Sequence, residues 1–148
     1  MCKLVNNMEL NKAFFGLYEN WFIITKEELG EEKALDLFTK VMRFGLKKAY
    51  DAYGVKQGSA KEYARVVKER DNSVGLRVEF PEVTENKIVY RFIDDPFPGL
   101  KGKVDYKKLD KTYMRFKVDY ILGKEWSYKT TKHIWLGDPY TEHIITKK

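Results

Sequence analysis

WSYKTTKHIWLGDPYTEHII, residues 126–145, alternates aromatic or apolar side chains with polar ones on both sides of Leu136-Gly137-Asp138-Pro139. Alternation of period two marks a half-buried strand, and Gly, Asp and Pro together supply turn geometry. The stretch therefore reads as a β-hairpin. It carries both histidines of the chain, His133 and His143, which makes it the first place to look for a polar working site.

Working back from the hairpin, Tyr106, Leu109, Tyr113, Phe116 and Tyr120 recur at spacings of three and four and predict a helix ending at Gly123. Ahead of it, Asp94-Asp95-Pro96-Phe97-Pro98-Gly99 breaks both helix and strand, because proline lacks a backbone donor and clashes with a preceding turn. Before the break the period is again two. Leu76, Val78 and Phe80 alternate with Arg77 and Glu79, and Ile88, Tyr90 and Phe92 alternate with Val89 and Arg91, around a turn at Thr84 to Asn86.

Helical spacing governs the first half. Leu10, Ala13, Phe14, Leu17, Tyr18, Trp21 and Ile24 predict the inward face of a helix over about 9–25, leaving Phe15 and Phe22 to meet a second neighbour or a partner chain. Ala34, Leu35, Phe38, Val41, Met42, Leu46, Ala49 and Tyr53 predict a second helix over 31–53, stopped by Gly54. Ser59 with Glu62 is a capping-box pattern that opens a third over about 60–71, with Tyr63, Val66 and Val67 inward. Three helices, two strands, a helix and two strands predict one α+β domain over 1–148, its helical part about 8–72 and its sheet-plus-helix part about 74–148. The helices are expected mainly on one face of an antiparallel sheet.

At 148 residues the chain is long enough to bury a core without a structural metal or disulfides. Cys2 is the only cysteine, which excludes an internal disulfide and any zinc site of several thiolates. No cofactor is expected. No apolar run reaches the roughly 18 residues of a membrane span, and the start lacks a secretory pattern, so a soluble cytoplasmic protein is expected. The net charge of +6 is regional, since residues 101–132 hold ten Lys or Arg against four Asp or Glu. Lys107, Lys108, Lys111 and Arg115 form a basic stripe on the last helix. Without a helix-turn-helix, an RNA-binding aromatic signature or a zinc finger, nucleic acid is not the expected partner.

With Gly137 and Asp138 as a two-residue turn, Trp135 faces Tyr140 and His133 faces Glu142, a pairing that would orient an imidazole as a general base. A register slipped by one would instead set His133 across from His143, on one face with Thr131 and Thr141. The spacing of the histidines matches no helical metal motif, so no metal is expected. Asp94 and Asp95, at a strand end beside a Pro-Phe-Pro loop, are a second acid-base candidate. Tyr90, Phe92, Tyr113, Trp126, Tyr128 and Trp135, with Thr141, could line a pocket for a small ligand.

Asp95-Pro96 after a strand, a helix carrying Asp119, and Gly137-Asp138-Pro139-Tyr140-Thr141-Glu142-His143 closing the domain together resemble the L-2-amino-thiazoline-4-carboxylic acid hydrolase family. In outline the chain is also similar to small-molecule-binding domains of the vinyl-reductase type. The resemblance covers about half of the chain, from Val74 onward. It departs where the family carries cysteines, here Asp95, Met114 or Arg115, and Thr141. The resemblance implies a scaffold for a small, anionic organic ligand, with Asp119, Asp138, Glu142 and His143 as polar positions.

Three functions follow as expectations. In a hydrolase, His133 or His143 would activate water, Glu142 would orient the imidazole, Asp95 or Asp119 would serve as second acid or base, and nearby lysines would hold a carboxylate. A sensory domain would use the aromatic pocket without chemistry. An adaptor for nucleic acid or protein would use the basic stripe. A homo-oligomer is compatible with all three.

Overall fold

The computed structural model describes residues 9–148; Cys2 lies outside them. In chain order the elements are α1 (Lys12–Leu29), α2 (Glu31–Ala52), α3 (Ala60–Ser73), β1 (Val78–Val83), β2 (Lys87–Phe92), α4 (Tyr106–Ile121), β3 (Trp126–Lys132) and β4 (Thr141–Lys147). Short 3-10 turns stand at Pro98–Leu100 and Ile134–Leu136. The four strands form one antiparallel sheet in the order β1-β2-β4-β3. Helices α3 and α4 lie against the sheet, α2 packs on α4, and α1 packs on α2. This is the expected α+β class. Among the described residues, no helix is long and apolar enough to cross a membrane.

Local chemistry sets the element boundaries. Asn11, Ser59 and Asp105 cap α1, α3 and α4 by accepting a backbone N–H three residues on. At α3 the expected box closes only halfway, since Ser59 accepts from Glu62 while the Glu62 carboxylate turns to Arg65 and the Lys56 N–H. Pro81 sits inside β1, where the register shifts between Glu79 and Glu82. A missing donor is tolerated there because β1 is an edge strand. Gly75 (φ +74°) lets the chain entering α1 pass close by, because a Cβ there would stand 1.6 Å from the Glu9 carbonyl oxygen.

Two expectations are corrected. The first is the face of α1: Phe15 and Phe22 are buried, whereas Leu17 and Ile24 are 71% and 58% exposed. Aromatic area decides this. Phe15 meets Phe97 and Phe22 meets Phe38 edge-on, at ring separations of 5.6 and 5.5 Å, and such pairs gain more by burial than a leucine and an isoleucine on the other face. Glu19, on the same side, accepts the Gly99 N–H at 2.6 Å and ties α1 to the Pro98–Leu100 turn.

The second correction is the terminal hairpin. Residues 134–136 form a 3-10 turn closed by Gly137 (φ +95°), not a two-residue turn at Gly137 and Asp138. Asp138 accepts the His133 N–H and Thr141 accepts the Ile134 N–H, at 2.8 and 3.1 Å, so side chains hold the loop open. The strand register is Thr130 opposite His143 and Lys132 opposite Glu142. His133 has already left the strand, and neither expected pairing of it forms.

The α1 face makes a direct stability prediction. Phe22→Ala, on the buried face and edge-on to Phe38, should cost about 3–5 kcal/mol in urea unfolding. Leu17→Ala should change stability by less than about 0.5 kcal/mol. Comparable losses at the two positions would mean that the helix is rotated.

Candidate functional site

Helix α4 places two charged side chains on its buried face. Asp110, Tyr113, Met114, Lys117 and Ile121 follow one another at short helical spacings and are all buried. Each charge sits in a polar group of its own, and the rings of Phe92, Phe97 and Tyr113 stand between a cavity on one side and a smaller one on the other.

Lys117 defines the first group. Its Nζ donates to the Tyr90 hydroxyl at 2.9 Å and lies 3.7 Å from Asp71 Oδ1. The Tyr90 hydroxyl in turn donates to the other Asp71 oxygen. The rings of Tyr90, Phe92 and Tyr113 surround the ammonium position at 5.1, 5.3 and 5.5 Å, within cation-π range. Burial pushes the Lys117 ammonium below its usual range and the Asp71 carboxyl above its own, while each partner pulls the other back. Burial and the Asp71 carboxylate both push the Tyr90 hydroxyl well above the tyrosine range.

Lys117 and Asp71 form part of the wall of a cavity of about 40 Å³. Phe14, Phe15 and Tyr18 of α1 and Met42, Gly45 and Leu46 of α2 supply half of its uncharged lining, and Arg70 lines it too. Gly45 matters because a side chain there would extend into open space, with only the Tyr18 hydroxyl within 4 Å of its Cβ, at 3.8 Å.

Asp110 defines the second group. One carboxylate oxygen accepts from the Tyr113 hydroxyl at 2.8 Å, and the other faces His133 Nε2 at 3.1 Å and His143 Nε2 at 4.0 Å. His133 Nδ1 accepts the Trp135 backbone N–H at 3.0 Å. Its proton therefore sits on Nε2, pointing at Asp110, and neither nitrogen keeps a free lone pair. His143 Nδ1 pairs with the Thr130 hydroxyl at 3.0 Å, while its Nε2 is buried without a hydrogen-bond partner. Trp135 Nε1 donates to Asp95 at 2.8 Å, and the other Asp95 oxygen accepts the Phe97 N–H. The space between Asp95, Asp110, His133 and Thr141 is about 10 Å³, one water in size.

The remaining expected residues separate from this cluster. Glu142 points to the other face of the sheet, where it accepts from Arg91 at 2.8 Å and Thr131 at 2.7 Å. Burial raises its carboxyl, but these two donors hold it below the usual range. It cannot orient His133 or His143, because successive strand residues face opposite ways. Asp119 lies on the outer flank of α4 with Arg115 and Lys124, at 3.3 and 3.1 Å. Asp94 is bound by Arg77. Phe92 and Tyr113 line both cavities and Trp135 and Thr141 the smaller one, whereas Trp126 and Tyr128 line neither. Tyr90 does not line the first cavity and reaches it through Lys117 and Asp71. Among the described residues, no group of three or more His, Cys, Asp and Glu side chains is arranged to hold a metal ion.

Burial pushes the His143 imidazole down to about 4, with Asp110 opposing. Unfolded, this ring takes its proton near pH 6.5; folded, only near 4. The unfolded state thus binds more protons between those values, and stability falls as pH drops through the window. The loss should be on the order of 3 kcal/mol. Urea titrations of the wild type and His143→Gln at pH 7 and pH 4 should show the excess loss only in the wild type. Parallel losses would assign the acid sensitivity elsewhere.

No protein-family model matches the sequence. No curated protein matches it either. Among solved structures, the fold is similar to the phenol-responsive sensory domain of the transcription activator PoxR, solved with phenol, with a TM-score of 0.55 and 13% sequence identity. The match covers 95% of this chain and 75% of that one. At that identity the likeness is one of fold.

Proposed function

We propose that this chain is a small-molecule-binding domain of the sensory kind, which takes a compact aromatic molecule with one acidic or hydrogen-bonding group into the cavity between α1, α2 and the face of α4. The observation that carries this reading is Lys117, a buried amine that with Asp71 and Arg70 supplies the polar part of a mostly aromatic and aliphatic cavity wall. Few convergent polar groups in an apolar recess are the common makeup of ligand sites. The shared fold with a domain solved with phenol supports it. So does the resemblance to the thiazoline-carboxylate hydrolases, whose ligands are small and anionic; Arg70 and Lys117 offer N–H donors to such a group.

At about 40 Å³ the cavity is smaller than the roughly 150 Å³ that accommodates benzene in an apolar interior. Admitting a ring therefore requires side chains to move. Phe14, Tyr18 and Met42 are only partly buried and lie on the outer wall, and a flexible thioether yields most readily. Hydrolysis would need a base that reaches water, and both nitrogens of His133 are engaged. Binding without turnover is the simpler reading.

Thermal unfolding at pH 7 with phenol and with benzoate as separate probes should show saturable stabilisation by at least one, approaching about 2.7 kcal/mol at a hundredfold excess over Kd. Gly45→Met fills the cavity without removing a charged group and should abolish the effect while the protein stays folded. Equal stabilisation of variant and wild type would place the ligand elsewhere.

A further inference from the structure

We propose that Lys117 is a nucleophile that captures a compact aldehyde or ketone as a protonated Schiff base inside the cavity. This rests on the reading of that cavity as a small-molecule site and names its ligand class as carbonyl compounds.

Three placements carry it. The amine lies in an apolar wall beside a recess, the setting in which a lysine gives up its proton and becomes nucleophilic. Tyr90 stands 2.9 Å from Nζ and bridges to the Asp71 carboxyl, so a proton donor and acceptor sit beside the attacking atom. Arg70 lines the same cavity and adds positive charge that disfavours the ammonium. Burial acts on both members of the pair in the same sense, lowering the amine and raising the carboxyl, so each gives up its charge more readily than in water.

The step balances without an oxidant or reductant. The Lys117 lone pair forms a C–N bond to the carbonyl carbon, and the carbonyl π pair moves to oxygen. One proton passes from nitrogen to that oxygen, giving a carbinolamine. Asp71 supplies a second proton through Tyr90, the C–O bond breaks, and water leaves with both. The product is an iminium that keeps one N–H, facing the Asp71 carboxylate. Tyr90 is a positioning and relay residue, and Asp71 the acid.

The test uses the full chain with benzaldehyde and cyanoborohydride, followed by peptide mapping by mass spectrometry. At pH 7 an ordinary lysine is deprotonated in fewer than about one molecule in a thousand. Lys117 should therefore take the reduced adduct at least roughly tenfold faster than surface lysines. Its labelling should rise less steeply with pH than that of surface lysines, which climbs about tenfold per pH unit. Asp71→Asn should slow labelling by at least roughly tenfold, and Gly45→Met should remove it with surface labelling intact. An unlabelled Lys117 in a wild-type protein that phenol, benzoate or benzaldehyde still stabilises overturns the covalent step and leaves the binding reading standing. Neither labelling nor stabilisation by any of the three overturns both. These outcomes are read on the wild type, so neither depends on a variant folding.

Discussion

The Asp71–Tyr90–Lys117 contact is the constraint around which the domain is arranged. It joins α3, β2 and α4, three elements distant in sequence, through one carboxyl, one phenol and one amine, all buried. Taking such groups out of water is costly unless each finds a partner. Here each does, and the requirement fixes how far α3 and α4 stand from the sheet and from each other. Apolar side chains of similar bulk could pack the same space at a lower free-energy cost. They would not leave a polar anchor in the wall of a cavity.

Asp110 applies the same logic at the other end of the buried face of α4. It draws in the Tyr113 hydroxyl and the His133 ring and lies near the His143 ring. The Ile134–Leu136 turn bends His133 away from the strand line and back toward that carboxylate. Loop, strand and helix meet at one acidic side chain. His133 is thus held in place by a carboxylate that also occupies the nitrogen a general base would need, while His143 Nε2 lies buried away from water.

Periodicity made the architecture legible. Alternation at Ile88, Tyr90 and Phe92, helical spacing from Tyr106 to Tyr120, and the signals at Ser59 and Gly54 all correspond to elements in place. The rotated face of α1 was not legible, because Leu17 and Ile24 carry the same apolar signal as Phe15 and Phe22, and only the presence of Phe38 and Phe97 on one side separates them. The site was half legible. Trp135, Thr141, Asp95 and the two histidines do lie at the end of the domain where Asp110 lies, but Asp110, Lys117 and Asp71 escaped notice among the many charges of their helices. A signal existed: Lys117 stands four residues after Tyr113 and four before Ile121, on the seam and not on the stripe of Lys107, Lys111 and Arg115. Hairpin register depended on a side-chain-stabilised loop that alternation cannot reveal.

Phe92, Phe97 and Tyr113 form a partition with a chamber on each side, the larger beside Lys117 and the smaller beside Asp110. In a close-packed interior, a ring that lines two cavities cannot tilt without transferring volume from one to the other. A guest that presses the partition toward the smaller chamber squeezes the space beside Asp110, His133 and Trp135, and so bears on the loop from His133 to Thr141. If the cavity takes a guest as proposed, the wall between the chambers would work as a mechanical lever on the surface turn that closes the domain.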